Sequence, residues 1–193
     1  ELRRTGLYHF ALLLPSRKDL GKFLKHIREI RYPIMGASHH GISEAIYLQD
    51  VADNGIEVYA DTPLNKWKWK NDTLEMYTIR LDLDSLIEET KGEVWQGAPS
   101  ESIIGHIHLH VSNLEESEKF YVDGLGFNIV TKIPQQATFV STGGYHHHIA
   151  FNIWNGKGIP APDINSVGMN YFEIKFPNEK SRDKTVDNLK KLG

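Results

Sequence analysis

The sequence predicts an α+β fold of repeated βαβββ modules, forming curved mixed sheets around a metal-binding cavity. Three observations carry that expectation. An apolar strand pattern leading into a helix start begins at Gly6 and returns at Gly105, with His106 falling 97 residues after His9. Three further strand patterns follow each strand–helix pair, which marks an internal duplication. The strands also carry imidazoles and a carboxylate at alternate positions, and such donors suit a divalent ion that keeps open coordination positions.

Residues 7–14 read as the first strand. Pro15-Ser16-Arg17-Lys18-Asp19 follows, with Ser16 as N-cap, and Leu20, Phe23, Leu24, Ile27 and Ile30 recur at helical spacing until Pro33 stops the helix. Ile34-Met35 fits a short second strand. Residues 42–48 alternate as a third, residues 50–55 read as a turn, and residues 56–60 form the fourth strand. This gives a first module over residues 1–63.

Residues 64–103 are expected to be a linker, with an extra strand near 76–81 and a short helix at 84–89. Trp67-Lys68-Trp69-Lys70 lies there and reads as packing rather than a base-stacking platform. A second module should occupy residues 104–160. Its first strand is 106–111, Ser112 and Glu115 match a capping box, Phe120, Tyr121 and Leu125 give the helix an apolar side, and Gly124 and Gly126 break it. Strands at 127–133, 137–141 and 147–154 complete it. Residues 161–193 read as the start of a further, incomplete module, with a first strand at 168–176 and a helix at 179–192.

Composition narrows the function classes. With 22 basic and 25 acidic residues and a net charge of −3, no positive field speaks for nucleic acid. No apolar stretch approaches the roughly 20 residues that span a bilayer. The absence of cysteine excludes thiolate chemistry and makes a reducing cytoplasm the default expectation. The beginning, Glu1-Leu2-Arg3-Arg4-Thr5, has no initiator Met, so the chain is expected to start partway through a longer protein. No Gly-rich phosphate loop, G-x-S-x-G elbow or H-E-x-x-H is present.

Strand alternation sorts six of the ten histidines. His106, His108 and His110 share one face, and Ile107, Leu109 and Val111 the other. His9 shares a face with Ala11 and Leu13, Glu57 with Tyr59 and Asp61, and His146 with His148, Ala150 and Asn152. A lone histidine on a strand is ordinarily a hydrogen-bonded structural residue, and His26 on the helix is read that way. His9, His106 and Glu57 stand apart because the two histidines occupy equivalent positions in two repeats. Neutral imidazoles with one carboxylate fit Fe(II), Mn(II), Zn(II) or Ni(II).

The stretch Gly105-His106-Ile107-His108-Leu109-His110-Val111-Ser112-Asn113-Leu114, continuing through Lys119-Phe120-Tyr121-Val122-Asp123-Gly124-Leu125-Gly126-Phe127, resembles the opening of a module in the glyoxalase/bleomycin resistance/extradiol dioxygenase (vicinal oxygen chelate) superfamily. His40-Gly41-Ile42-Ser43-Glu44-Ala45-Ile46-Tyr47-Leu48 with residues 50–59 resembles a module's end. The likeness covers most of the chain and is nearest to the bacterial catechol-2,3-dioxygenase-like members. It implies a metal held by His9, His106 and Glu57, Fe(II) foremost, and a ring-cleaving dioxygenase acting on a catechol-like substrate with dioxygen. It further implies catalytic roles for His148, His40 and Tyr59, and substrate contacts from His108, His146 and Tyr145. A homo-oligomer is compatible with it. A glyoxalase-type Zn/Ni isomerase or thiol transferase, and a small-molecule binding or resistance protein, are the other outcomes this family allows.

The sequence departs from the family pattern in three places. Its turn, Asp50-Val51-Ala52-Asp53-Asn54-Gly55, is not Asp-Pro-Asp-Gly-Asn. Met169-Asn170-Tyr171-Phe172 has no histidine where a ligand would fall, and the glutamate lies in the earlier module.

Overall fold

The computed structural model describes residues 3–193. Its fold is α+β, and the chain divides into two compact units: His9–Ile107, and the residues up to Tyr8 together with His108–Gly193.

In the first unit, β1 (Gly6–Leu13, which enters it at His9) leads to α1 (Arg17–Glu29), then β2 (Gly36–His39), β3 (Ser43–Gln49) and β4 (Gly55–Asp61). A hairpin of β5 (Trp69–Lys70) and β6 (Thr73–Leu74) follows, then β7 (Ile79–Arg80), α2 (Leu83–Glu88) and β8 (Ile103–His110, which leaves the unit after Ile107). Strand order is β7-β2-β3-β4-β1-β8, with β1 parallel to β4 and the β2, β3, β4 meander antiparallel. The second strand lies at Gly36–His39 rather than at Ile34-Met35, because its partner β3 sets the register and pairs Ala37 with Ile46. The extra strand expected at 76–81 shrinks to Ile79–Arg80, which finds only the short edge of β2 to pair with.

Helix α1 forms for the reasons its sequence suggests. The Ser16 hydroxyl accepts from the Asp19 N–H at 3.1 Å, satisfying one of the donors a helix start leaves open. Its apolar stripe, Leu20, Leu24 and Ile27, packs with Leu14, Ile46, Leu48, Val58, Ala60, Leu81 and Leu86. Burying each such leucine or isoleucine stabilises the fold by about 1.5–3 kcal/mol. Arg31, in the left-handed region at φ 57°, ends the helix two residues before Pro33. Arg17 ties α1 to β3 and α2 through Glu44 at 2.6 Å and Glu89 at 2.5 Å. Strands β3 and β4 are buried on both faces: Ile46, Leu48, Val58 and Ala60 meet the helices, while Ala45 and Tyr59 turn the other way with Ala11. Trp67 is a packing residue, its indole N–H reaching the Thr62 carbonyl at 3.2 Å.

The second unit contains α3 (Leu114–Glu118), which runs into a π-helical turn at Lys119–Gly124, then β9 (Asn128–Ile133), β10 (Ala137–Ser141), β11 (Ile149–Asn152) and α4 (Glu179–Leu192). β9, β10 and β11 form an antiparallel meander. Tyr121, Phe127, Val140, Ile149 and Phe151 make its core. Two expectations are corrected here. The cap of α3 is Asn113, whose side chain accepts from Glu115 and Glu116, and not Ser112; the helix starts one residue later than the capping-box spacing implies. Residues 168–176 make no strand ladder, although Phe172 and Ile174 pack on the core of the unit. Their apolar alternates are buried as a strand's would be, but among the described residues no strand pairs with this stretch. Among the described residues, no helix is long and apolar enough to cross a membrane.

Candidate metal centre

The β1–β4 ladder brings the first two candidate ligands together. His9 stands opposite Gly55 and Ala11 opposite Glu57, so His9 and Glu57 are diagonal neighbours on one face. Gly55 has no side chain to occupy the space beside the imidazole. β8 supplies His106. All three side chains are buried, at 5%, 4% and 3% exposure for His9, Glu57 and His106.

Their donor atoms converge. Oε2 of Glu57 lies 3.0 Å from Nε2 of His9 and 3.3 Å from Nε2 of His106, and the two Nε2 atoms are 3.3 Å apart. Two donors each about 2.1 Å from one ion stand about 3.0 Å apart at a right angle and about 3.4 Å apart at a tetrahedral angle. The three observed separations fall within that interval, so the donor set fits a divalent ion. Burial opposes the negative charge of Glu57, yet His106 and then His9 more than offset this and hold the carboxyl well below the usual carboxylate range. The site therefore presents an ionised carboxylate beside two imidazole nitrogens, the donor types that a divalent ion takes.

Two tyrosines flank this group. Tyr59 is fully buried on β4, with its ring centroid 5.0 Å from that of His106. Tyr47 stands opposite Glu57 in the β3–β4 ladder, and its ring centroid is 5.8 Å from that of His9. Its hydroxyl lies 2.8 Å from Nε2 of His40. Nδ1 of His40 faces the Tyr77 carbonyl oxygen at 3.2 Å and the Thr78 hydroxyl at 3.1 Å. A carbonyl only accepts, so this contact puts the proton on Nδ1 and leaves Nε2 to accept from Tyr47. His39 serves the turn instead, its Nδ1 accepting from the Gly41 N–H at 2.9 Å. Sequence reasoning passed over Tyr47. Its signal was the antiparallel register, which sets it opposite Glu57.

The remaining candidates belong to the second unit. Asn152, fully buried, bridges His108 and His110 at 2.9 and 2.8 Å, and Tyr8 lays its ring against both imidazoles. Nδ1 of His146 meets Nδ1 of His147 at 2.7 Å, and the Tyr145 ring covers His146 at 4.0 Å. Residues 146–148 precede β11 rather than lying within it, so strand alternation does not govern them. Nδ1 of His148 lies 2.9 Å from the Ser141 hydroxyl and accepts from the Thr142 N–H at 3.4 Å. Burial, followed by the nearby His146, lowers the pKa of His148.

Comparison with known proteins adds three findings. Residues 103–193 match the family described as the Glyoxalase/Bleomycin resistance protein/Dioxygenase superfamily. Over 191 residues the chain is 44% identical to the catechol-2,3-dioxygenase of Bacillus subtilis (strain 168), covering 98% of this chain and 67% of that protein. Two solved structures resemble it more distantly. The Mn(II)-bound glyoxalase from Novosphingobium aromaticivorans is 19% identical, with coverage of 95% of this chain and 50% of the other and a TM-score of 0.36. The methylmalonyl-CoA epimerase from Mycobacterium tuberculosis is 9% identical, with coverage of 82% and 89% and a TM-score of 0.41.

Proposed function

Because the chain belongs to the glyoxalase/bleomycin resistance protein/dioxygenase superfamily, we propose that it is an extradiol dioxygenase that opens the ring of a catechol-like substrate with dioxygen. The observation that carries this reading is the convergence of His9, Glu57 and His106 at 3.0–3.3 Å in a buried site. These three residues would hold a divalent metal, with Fe(II) the first choice and Mn(II), Zn(II) or Ni(II) also compatible with the donor set. Such an ion supplies a Lewis acid and an electron path between an aromatic diol and dioxygen.

The chain's own groups manage the protons. A catechol binds as its anion and must lose a proton at neutral pH. The Tyr47 hydroxyl already donates to Nε2 of His40, so this pair can take up a proton and return it when the ring has opened. Burial around Glu57 and His106 keeps competing water from the donors. The reading extends to His148 as a second proton carrier, and to His108, Tyr145 and His146 as substrate-binding groups, on the strength of the family likeness.

The test is metal content of the purified protein, with oxygen uptake on catechol after anaerobic loading with Fe(II). Uptake that His9→Ala or Glu57→Ala abolishes supports the proposal. Tightly held zinc without uptake replaces it with an isomerase or thiol transferase of the same family, and absence of any stoichiometric metal overturns both.

A further inference from the structure

Resting on the metal reading above, we infer that Tyr59 is a positioning residue for His106, and that Gly105 is the residue that admits it. Tyr59 is fully buried and is the largest side chain so enclosed. Leu13 and Tyr47 pack beside it, and the closest approaches elsewhere are made by small residues. In the two ladders that flank β4 it stands opposite Leu13 and Ala45, and it packs in one cluster with Ala45 and Ala11, both fully buried. On β8 the residue beneath its hydroxyl is Gly105, where a β-carbon would overlap the phenolic oxygen and lie 2.8 Å from Cζ and 3.0 Å from Cε1. Gly105 is not among the glycines with positive φ, so its backbone does not require glycine. Space does. Beside Leu13 and Tyr47, two alanines and a glycine thus leave a slot that one tyrosine fills.

The slot matters because of what lies next to it. Gly105 immediately precedes His106, whose ring sits 5.0 Å from the Tyr59 ring at a tilt of 52°. An imidazole on a strand turns about its Cβ–Cγ bond over a broad range, since that torsion has no sharp staggered wells. Such a turn would carry Nε2 of His106 away from Glu57 and His9. The Tyr59 ring occupies one side of the arc and holds Nε2 at 3.3 Å from both partners. Supports of this kind change metal affinity by about 10–100-fold when removed, without themselves touching the ion.

The test uses Co(II) as the probe, bound to the whole chain. It reads the dissociation constant in competition with a chelator, and the visible d–d spectrum, for variants that circular dichroism shows to be folded. Tyr59→Phe keeps the ring and should hold Co(II) within about threefold of wild type, with an unaltered spectrum. Tyr59→Leu should weaken Co(II) by about 10–100-fold and change the spectrum. Gly105→Ala should reproduce both effects by displacing the ring. Where Tyr59→Leu does not fold, Tyr59→Met keeps more of the bulk and makes the same comparison. A folded Tyr59→Leu or Tyr59→Met protein with wild-type affinity and spectrum overturns the inference while leaving the metal reading intact. A wild-type chain that takes up no Co(II) overturns the metal reading and the inference with it.

Discussion

The hydroxyl of Tyr47 lies 2.8 Å from Nε2 of His40, across the end of the β2–β3 turn. In the proposed relay each partner is useful only while the other is present, because the imidazole would accept the proton that the phenol releases. Tyr47→Phe should therefore lower kcat for ring cleavage by about 100-fold, within the range general acid–base groups contribute, while metal content is retained. His40→Ala should give a similar loss, and the double variant should be little worse than either single one. Steady-state oxygen uptake of the four proteins, with metal analysis, checks this.

Gly21 of α1 faces the main chain of α2 so closely that a β-carbon there would overlap the Leu86 carbonyl oxygen and lie 3.0 Å from Cγ2 of Thr90. The obstacle is backbone, which cannot swing aside as a side-chain tip would. Gly21→Ala would ordinarily favour a helix interior by up to about 1 kcal/mol. Here it should instead destabilise by about 1–3 kcal/mol, as overpacking does. Urea denaturation, compared with the exposed-site control Arg28→Ala, gives the sign.

Asn113 accepts the N–H groups of Glu115 and Glu116, while Ser112 makes no cap to α3. Asn113→Ala should cost about 1 kcal/mol and Ser112→Ala much less. The reverse order in chemical denaturation would restore the capping box that the sequence implied.

His148 is partly buried and sits beside His146, and both features, burial first, favour its neutral form. Its folded pKa lies below the ordinary value of 6.5, so the unfolded chain binds the proton more readily. The associated stability is complete above that value and is lost as pH falls from it toward the lower folded pKa. The urea midpoint of wild type should therefore drop more between about pH 7.5 and about pH 5.5 than that of His148→Gln. Equal drops would remove His148 from the titration.

Much of this was legible in the residues. The cap at Ser16, the stripe from Leu20 to Ile27 and the helix over 179–192 depend on local signals, and each lies where its signal stands. His9, His106 and Glu57 were legible as candidates because the two histidines stand at equivalent places in a repeated strand pattern, and the three side chains converge. Tyr47 and Tyr59 were harder to read. What Tyr47 does depends on which residue lies across the ladder, and the slot around Tyr59 is made by Ala11, Ala45 and Gly105, contributed by three separate strands. Strand composition without a pairing partner misled at 168–176, where the side chains alternate but the backbone joins no ladder. The cap of α3 was misplaced because Ser112 and Asn113 are both good caps, and only the backbone geometry decides between them.

The three converging donors come from places far apart along the chain: His106 is 49 residues from Glu57 and 97 from His9. No hairpin or single strand–helix pair contains more than one of them, so the site exists only once the unit His9–Ile107 has folded. Occupancy then reports completion of that unit. By mass action, an ion present at about 100 times its dissociation constant adds about 2.7 kcal/mol to the native state and nothing to the unfolded one. Cation supply would set how long the chain survives heat or proteases, quite apart from any turnover.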